Sequence, residues 1–158
     1  MGFLETLQDS AFGTWVASAP TLLAYPTILA LHTVGLGVVV GSNAIVDLRL
    51  LGVARDVPLA DLKRIFRTMW LGFALNLTTG MALFVAAAAE FGIMPLFYIK
   101  LSCIALALLL ARRIRRLAFA DGARIDAPVP QQAKVLAAVS LILWLGAITT
   151  GRLMAYSH

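Results

Sequence analysis

Four apolar runs, each long enough to cross a lipid bilayer as a helix, take up most of the chain and restrict it to one architectural class. They cover about 21–48, 67–89, 95–118 and 133–156, close to the roughly 20 helical residues that a bilayer core requires. Inside lipid the backbone must satisfy its own polar groups, so each run is predicted as a helix. The third run is short before ARRIRR begins, but arginine heads can reach the headgroup region while their stems stay in the apolar layer. With 61% hydrophobic and only 13% charged residues and a mean hydropathy of +0.90, the chain is excluded from most soluble classes.

The connections carry their own signals. Gly92 and Pro95 mark a tight turn between the second and third runs, Pro58 lies in ARDVPLADLKR, and Pro128 and Pro130 precede the fourth run. The predicted fold is therefore all-α: an integral membrane antiparallel four-helix bundle forming a single domain over residues 1–158. Residues 1–18, acidic and carrying Phe3, Leu4, Leu7 and Trp15, are predicted as a helix lying in the membrane interface. They lack the basic start of a cleaved signal peptide, so the segment is expected to remain in the mature protein.

A formal net charge of +5 and a pI near 10.0 raise the question of nucleic acid. The basic residues answer it by position, because they collect beside apolar runs rather than on one polar face. Arg49, Arg55, Lys63, Arg64 and Arg67 lie between runs one and two, and Arg112, Arg113, Arg115, Arg116, Arg124 and Lys134 between three and four. The N-terminal segment and the second connection hold none. Positive-inside bias then places both basic segments in the cytoplasm and both termini outside, with lipid rather than nucleic acid as the partner. Cys103 is the only cysteine, which excludes an intrachain disulfide and a cysteine-based zinc site.

Depth turns the remaining polar residues into a constellation. His32, in ALHTVGLGVVVG, falls well inside the first run, where an ionisable side chain is costly and normally faces the bundle interior. Lys100 and Arg152 fall near the outer ends of runs three and four, in the same half of the membrane. One ligand, haem b, would explain all three, with iron for the imidazole and propionates for the two cations. Each residue also has a plainer reading. Lys100 and Arg152 can extend to the headgroups, and His32 can hydrogen-bond between helices.

Gly35 lies one turn from His32, and Gly37 and Gly41 stand four apart on a neighbouring face, where small residues admit either a flat ligand or another helix. In the second run Gly72, Asn76 and Gly80 form a stripe that is expected to face inward. Asn76 and Thr79 beside it are candidate donors around the haem. Met81 is the candidate sixth iron ligand, with Met154, water or an open position as alternatives; His158 reads as a terminal tail. Asp47, one turn from Asn43, is expected to pair with Arg49, Arg67 or another basic residue, or else to act as a proton-admitting or quinone-contacting carboxylate. Trp70 and Trp144 read as interfacial anchors or as packing.

ALHTVGLGVVVG followed by DLRLLG, then FYIKL and WLGAITTGR, resembles an uncharacterised family of small bacterial inner-membrane proteins over most of the chain. Alanine, leucine and histidine ahead of a glycine are also similar to the first ligand-bearing helix of haem-containing membrane protoporphyrinogen oxidases and of copper-resistance D type proteins. The first resemblance implies a multi-pass protein of the bacterial inner membrane, with periplasmic termini under the charge rule. The second implies haem b ligation by His32 and a role for Lys100. ARRIRR stands where the oxidases often carry another histidine, so a cytochrome-like electron-transfer role, quinol-linked, is expected in place of porphyrinogen oxidation. A membrane oxidoreductase activity is compatible with that role. A cofactor-free scaffold or accessory subunit is the alternative and a small transporter the third. Oligomerisation or a complex partner is expected on the glycine-bearing faces.

Overall fold

The computed structural model describes residues 2–53, 59–119 and 129–156. Among them every regular element is a helix: α1 (Phe3–Gln8), α2 (Ala11–Ser18), α3 (Tyr25–Leu51), α4 (Leu59–Ala86), α5 (Ala88–Phe91), α6 (Pro95–Phe119) and α7 (Gln131–Met154). Four of these, Tyr25–Leu51, Arg64–Ala86, Pro95–Leu117 and Gln131–Met154, are long and apolar enough to cross a membrane. The chain is thus an all-helical, multi-pass membrane protein. Pro58, Pro128, Arg55, Arg124 and His158 lie outside the described residues.

Helix limits follow proline and glycine chemistry. α3 begins at Tyr25 rather than near residue 21, with Pro26 in its first turn, where a missing N–H leaves no hydrogen bond unmade. It ends before Gly52, whose φ of 89° is the left-handed conformation that glycine adopts without strain. Pro95 opens α6, and Pro130 precedes α7 as its N-cap.

The N-terminal segment is two short helices rather than one. Ser10 breaks them apart because its hydroxyl accepts a hydrogen bond from the Gly13 N–H, 3.1 Å away, and so starts α2. The second connection is likewise more than a turn. α4 stops at Ala86, and α5 forms before Gly92. α1 contacts α5, and the Gln8 side-chain oxygen accepts the Ala89 N–H at 2.9 Å, an amide that has no partner within its own helix.

Contacts divide the chain into two compact units, Met1–Val39 with Trp70–Pro95, and Val40–Met69 with Leu96–His158. The first unit buries Val16, Ala24, Val39 and Ala88. In the second, α7 buries Ala133, Ala137, Ser140, Trp144 and Ala147, spaced alternately four and three apart as in helices packed with a seven-residue repeat. Ala107, Ala111 and Ile114 are the buried stripe of α6, and the Arg115 guanidinium stands 6.0 Å above the Phe66 ring. Polarity is inverted relative to a soluble core. Asn43, Asp47, Thr79 and Ser140 are buried, while Leu22, Leu71, Ile142 and Leu145 are exposed, as contact with lipid tails demands.

Replacing Gln8 with alanine leaves the Ala89 N–H without its acceptor. The expected outcome is a loss of about 1 kcal/mol from α1 docking. Amide exchange measured in detergent should accelerate over Phe3–Gln8 and stay unchanged in α7.

Candidate functional site

His32 lies seven residues into α3, about 10 Å from its N-terminal end at 1.5 Å per residue. What fixes it comes from the α4 stripe. A β-carbon on Gly35 would stand 2.8 Å from the Asn76 backbone nitrogen, and one on Gly72 would stand 2.6 Å from Val38 Cγ1. Glycine at both positions therefore allows α3 and α4 to approach within backbone contact, as the small-residue pattern predicts for this stripe. A β-carbon on Gly80 would meet the imidazole itself, 3.0 Å from Cε1 and 3.4 Å from Nδ1. The ring lies against that bare backbone.

Hydrogen bonds then orient the ring. Nδ1 is 3.0 Å from the Asn76 carbonyl oxygen and 3.1 Å from Thr79 Oγ1. A carbonyl only accepts, and the Thr79 hydroxyl donates its own hydrogen to the Leu75 carbonyl at 2.7 Å. Nδ1 is accordingly the protonated nitrogen, and in neutral imidazole the basic lone pair is on Nε2. Asn76 holds the other side of the contact, its Nδ2 donating to the His32 carbonyl at 2.8 Å and standing 3.3 Å from Nδ1 and 3.5 Å from Nε2.

These contacts bring His32, Gly35, Asn76 and Thr79 together, with two changes from the sequence reading. The space before Gly35 is filled by Asn76, so the close approach it permits is that of α4. Thr79 Oγ1 and the Asn76 carbonyl accept from the imidazole rather than donate, while the two hydrogens of Asn76 Nδ2 serve the His32 carbonyl and the edge of the ring. Met81 is 62% exposed, and Met154 is buried in the second unit. Gly37 and Gly41 have nothing within 4 Å of where a β-carbon would be.

Lys100 and Arg152 belong to the second unit. The Lys100 stem and amine lie across Gly151, with Nζ and Cε each 3.5 Å from where its β-carbon would be. The half-buried ammonium thus sits against α7 at Gly151, and the next residue, Arg152, is exposed. Trp144 is a packing residue, 3% exposed, and Trp70 meets Phe73 edge-on at 5.7 Å.

The second unit also holds a polar cluster that the sequence revealed only in part. Asn43 Nδ2 donates to Asp47 Oδ2 at 2.6 Å and approaches Ser140 Oγ at 2.8 Å, while the Ser140 hydroxyl hydrogen-bonds to the Asp47 carboxyl group. Among the described residues Asp47 is therefore held by neutral groups rather than by an arginine. Ser140 went unnoticed because its partner is 97 residues away; a lone serine between Val139 and Leu141 was its only mark.

Gly35→Ala should push α4 outward and cost about 1–3 kcal/mol in overpacking. Gly37→Ala, facing open space, should stay within about 0.5 kcal/mol of the parent. Unfolding titrations in mixed detergent micelles compare the two directly.

No match was found among curated proteins or solved structures. Residues 10–157 do match a family described as a family of unknown function (DUF6644). The match takes in every helix from α2 to α7, and the chain belongs to that family.

Proposed function

We propose that this protein binds haem b in the membrane through His32 and serves a cytochrome-like electron-transfer role, with a quinol as donor. The observation that carries the reading is the anchoring of Nδ1–H by the Asn76 carbonyl and Thr79 Oγ1. Metal-bound histidines characteristically donate their second ring nitrogen to a carbonyl or similar acceptor, which sets the tautomer and aims the other nitrogen. Haem b would supply a one-electron couple at an axially ligated iron. His32 would give the axial nitrogen, and Asn76, Thr79 and Gly80 would hold its ring in place. Lys100 and Arg152, proposed from sequence as propionate partners, lie in the second unit, so the structural support rests on His32.

A second reading is favoured by the same bonds. His32 and Asn76 already join α3 to α4 through ring and amide, which is sufficient for a cofactor-free scaffold or accessory subunit. The two readings separate on colour. Protein purified from haem-replete cells should show a Soret band and sharpen on dithionite reduction, and His32→Ala should lose the bound haem while still inserting. A colourless parent would favour the scaffold reading, and a mutant with parental haem content would remove His32 as the iron ligand.

We further propose a bacterial inner-membrane location with periplasmic termini, supported by eleven lysines and arginines in the two basic segments against none in the N-terminal segment and second connection. Reporter fusions after Ala54 and Arg124 should read as cytoplasmic, and a C-terminal fusion as periplasmic.

A further inference from the structure

Asp47 lies four residues from the end of α3, within a helix that is long and apolar enough to span. It is 0% exposed, as is Ser140, and Asn43 is 2% exposed. Its described hydrogen-bond partners, Asn43 and Ser140, are both uncharged, and they leave one oxygen unused. Among the described residues Oδ1 has no hydrogen-bond partner, and neither has Trp144 Nε1, one turn from Ser140 on α7. Native proteins rarely orphan such atoms, and two in one small region call for a ligand.

Charge decides which ligand. A carboxylate sealed from water and lipid headgroups is strongly disfavoured unless its charge is cancelled. Among the described side chains no cation hydrogen-bonds to Oδ1: Arg64 and Arg67 of α4 and the four arginines of ARRIRR on α6 are exposed, and Arg49 and Lys134 are half-buried. A metal ion is a poor substitute. Asn43 turns its amide nitrogen, not its oxygen, toward both Asp47 and Ser140, and no group of three or more histidine, cysteine or acidic side chains occurs among the described residues. A proton fits the geometry. Oδ2, which accepts from Asn43, then serves as the carbonyl oxygen, and Oδ1 carries the hydrogen.

We propose that Asp47 is a proton-binding site within the first span, its Oδ1 taking up one proton from the aqueous phase and returning it there. Uptake forms the Oδ1–H bond and release restores the carboxylate, with no other bond changed. A single water at Oδ1 serves either state, accepting from the protonated oxygen and donating to the ionised one. Such a group is the component by which a membrane protein links proton movement to another process, and it stands independently of haem at His32.

Infrared pH-difference spectra of the full chain in lipid nanodiscs provide the test. At neutral pH, where exposed carboxylates are ionised, the parent should show a protonated-carboxyl C=O band of about one group per chain. Asp47→Asn should lose it, and the band should disappear reversibly in alkaline buffer. Spectra of parent and mutant that overlay at neutral pH would overturn the proposal, and so would a band removed by exchanging choline for sodium at fixed pH, which would mean a metal-ion site. Should Asp47→Asn fail to fold, Ser140→Ala keeps the carboxyl and removes a hydroxyl bound to it. A displaced band in that variant supports the assignment to Asp47, and an unmoved band refutes it.

Discussion

Lipid tails offer no hydrogen bonds, and the rest of this structure follows from that one deficiency. Every backbone amide in a span must be satisfied within its helix, and each polar side chain must find a partner on its own helix, on a neighbouring helix or in a bound group. The consequence is visible in the exposure pattern. Leucines, isoleucines and valines make up most of the exposed large side chains, and alanine is the commonest buried residue, with Leu50, Phe66, Met69 and Ile114 filling the larger spaces. Burying small residues lets helix backbones meet, and where they meet the few polar side chains become structural connectors.

Asparagine is the connector twice over. Asn76 binds the His32 carbonyl with its amide while its own backbone carbonyl receives the imidazole. Asn43 spans from Asp47 on its own helix to Ser140 on α7. Individual interhelical hydrogen bonds in membranes contribute about 0.6 kcal/mol on average and rarely more than ~2. Their value here is positional: each amide holds an ionisable group in a single orientation. That separates the two clusters from ordinary packing contacts, which fix distance but not the direction of a lone pair or a proton.

Periodic information was readable from the sequence and long-range information was not. The spans emerged from hydropathy because lipid selects for it residue by residue, and the inward stripe of Gly72, Asn76 and Gly80 emerged from its four-residue spacing. Pairings were hidden. Nothing local tells that the hydroxyl at Ser140 belongs with Asn43, or that Asp47, two residues from Arg49, takes its hydrogen bond from the Asn43 amide. The N-terminal helix was divided by Ser10, a cap whose strength rests on one hydroxyl and is easily passed over in a run read for its apolar side. Likewise the depth of His32 depended on where α3 begins, and Pro26 rather than hydropathy set that limit.

The hydrogen bond between Gln8 and Ala89 joins points 81 residues apart, with α3 and α4 between them. Its two ends must share one side of the bilayer, so the chain has to cross an even number of times in between, and two crossings satisfy this. Order of synthesis adds a constraint. Gln8 leaves the ribosome long before Ala89 exists, so α1 must wait, undocked, until the second crossing is complete. Closing a loop of that length costs only slightly more entropy than closing a much shorter one. The strap can therefore form last, as a latch that records the finished insertion of the first hairpin of spans.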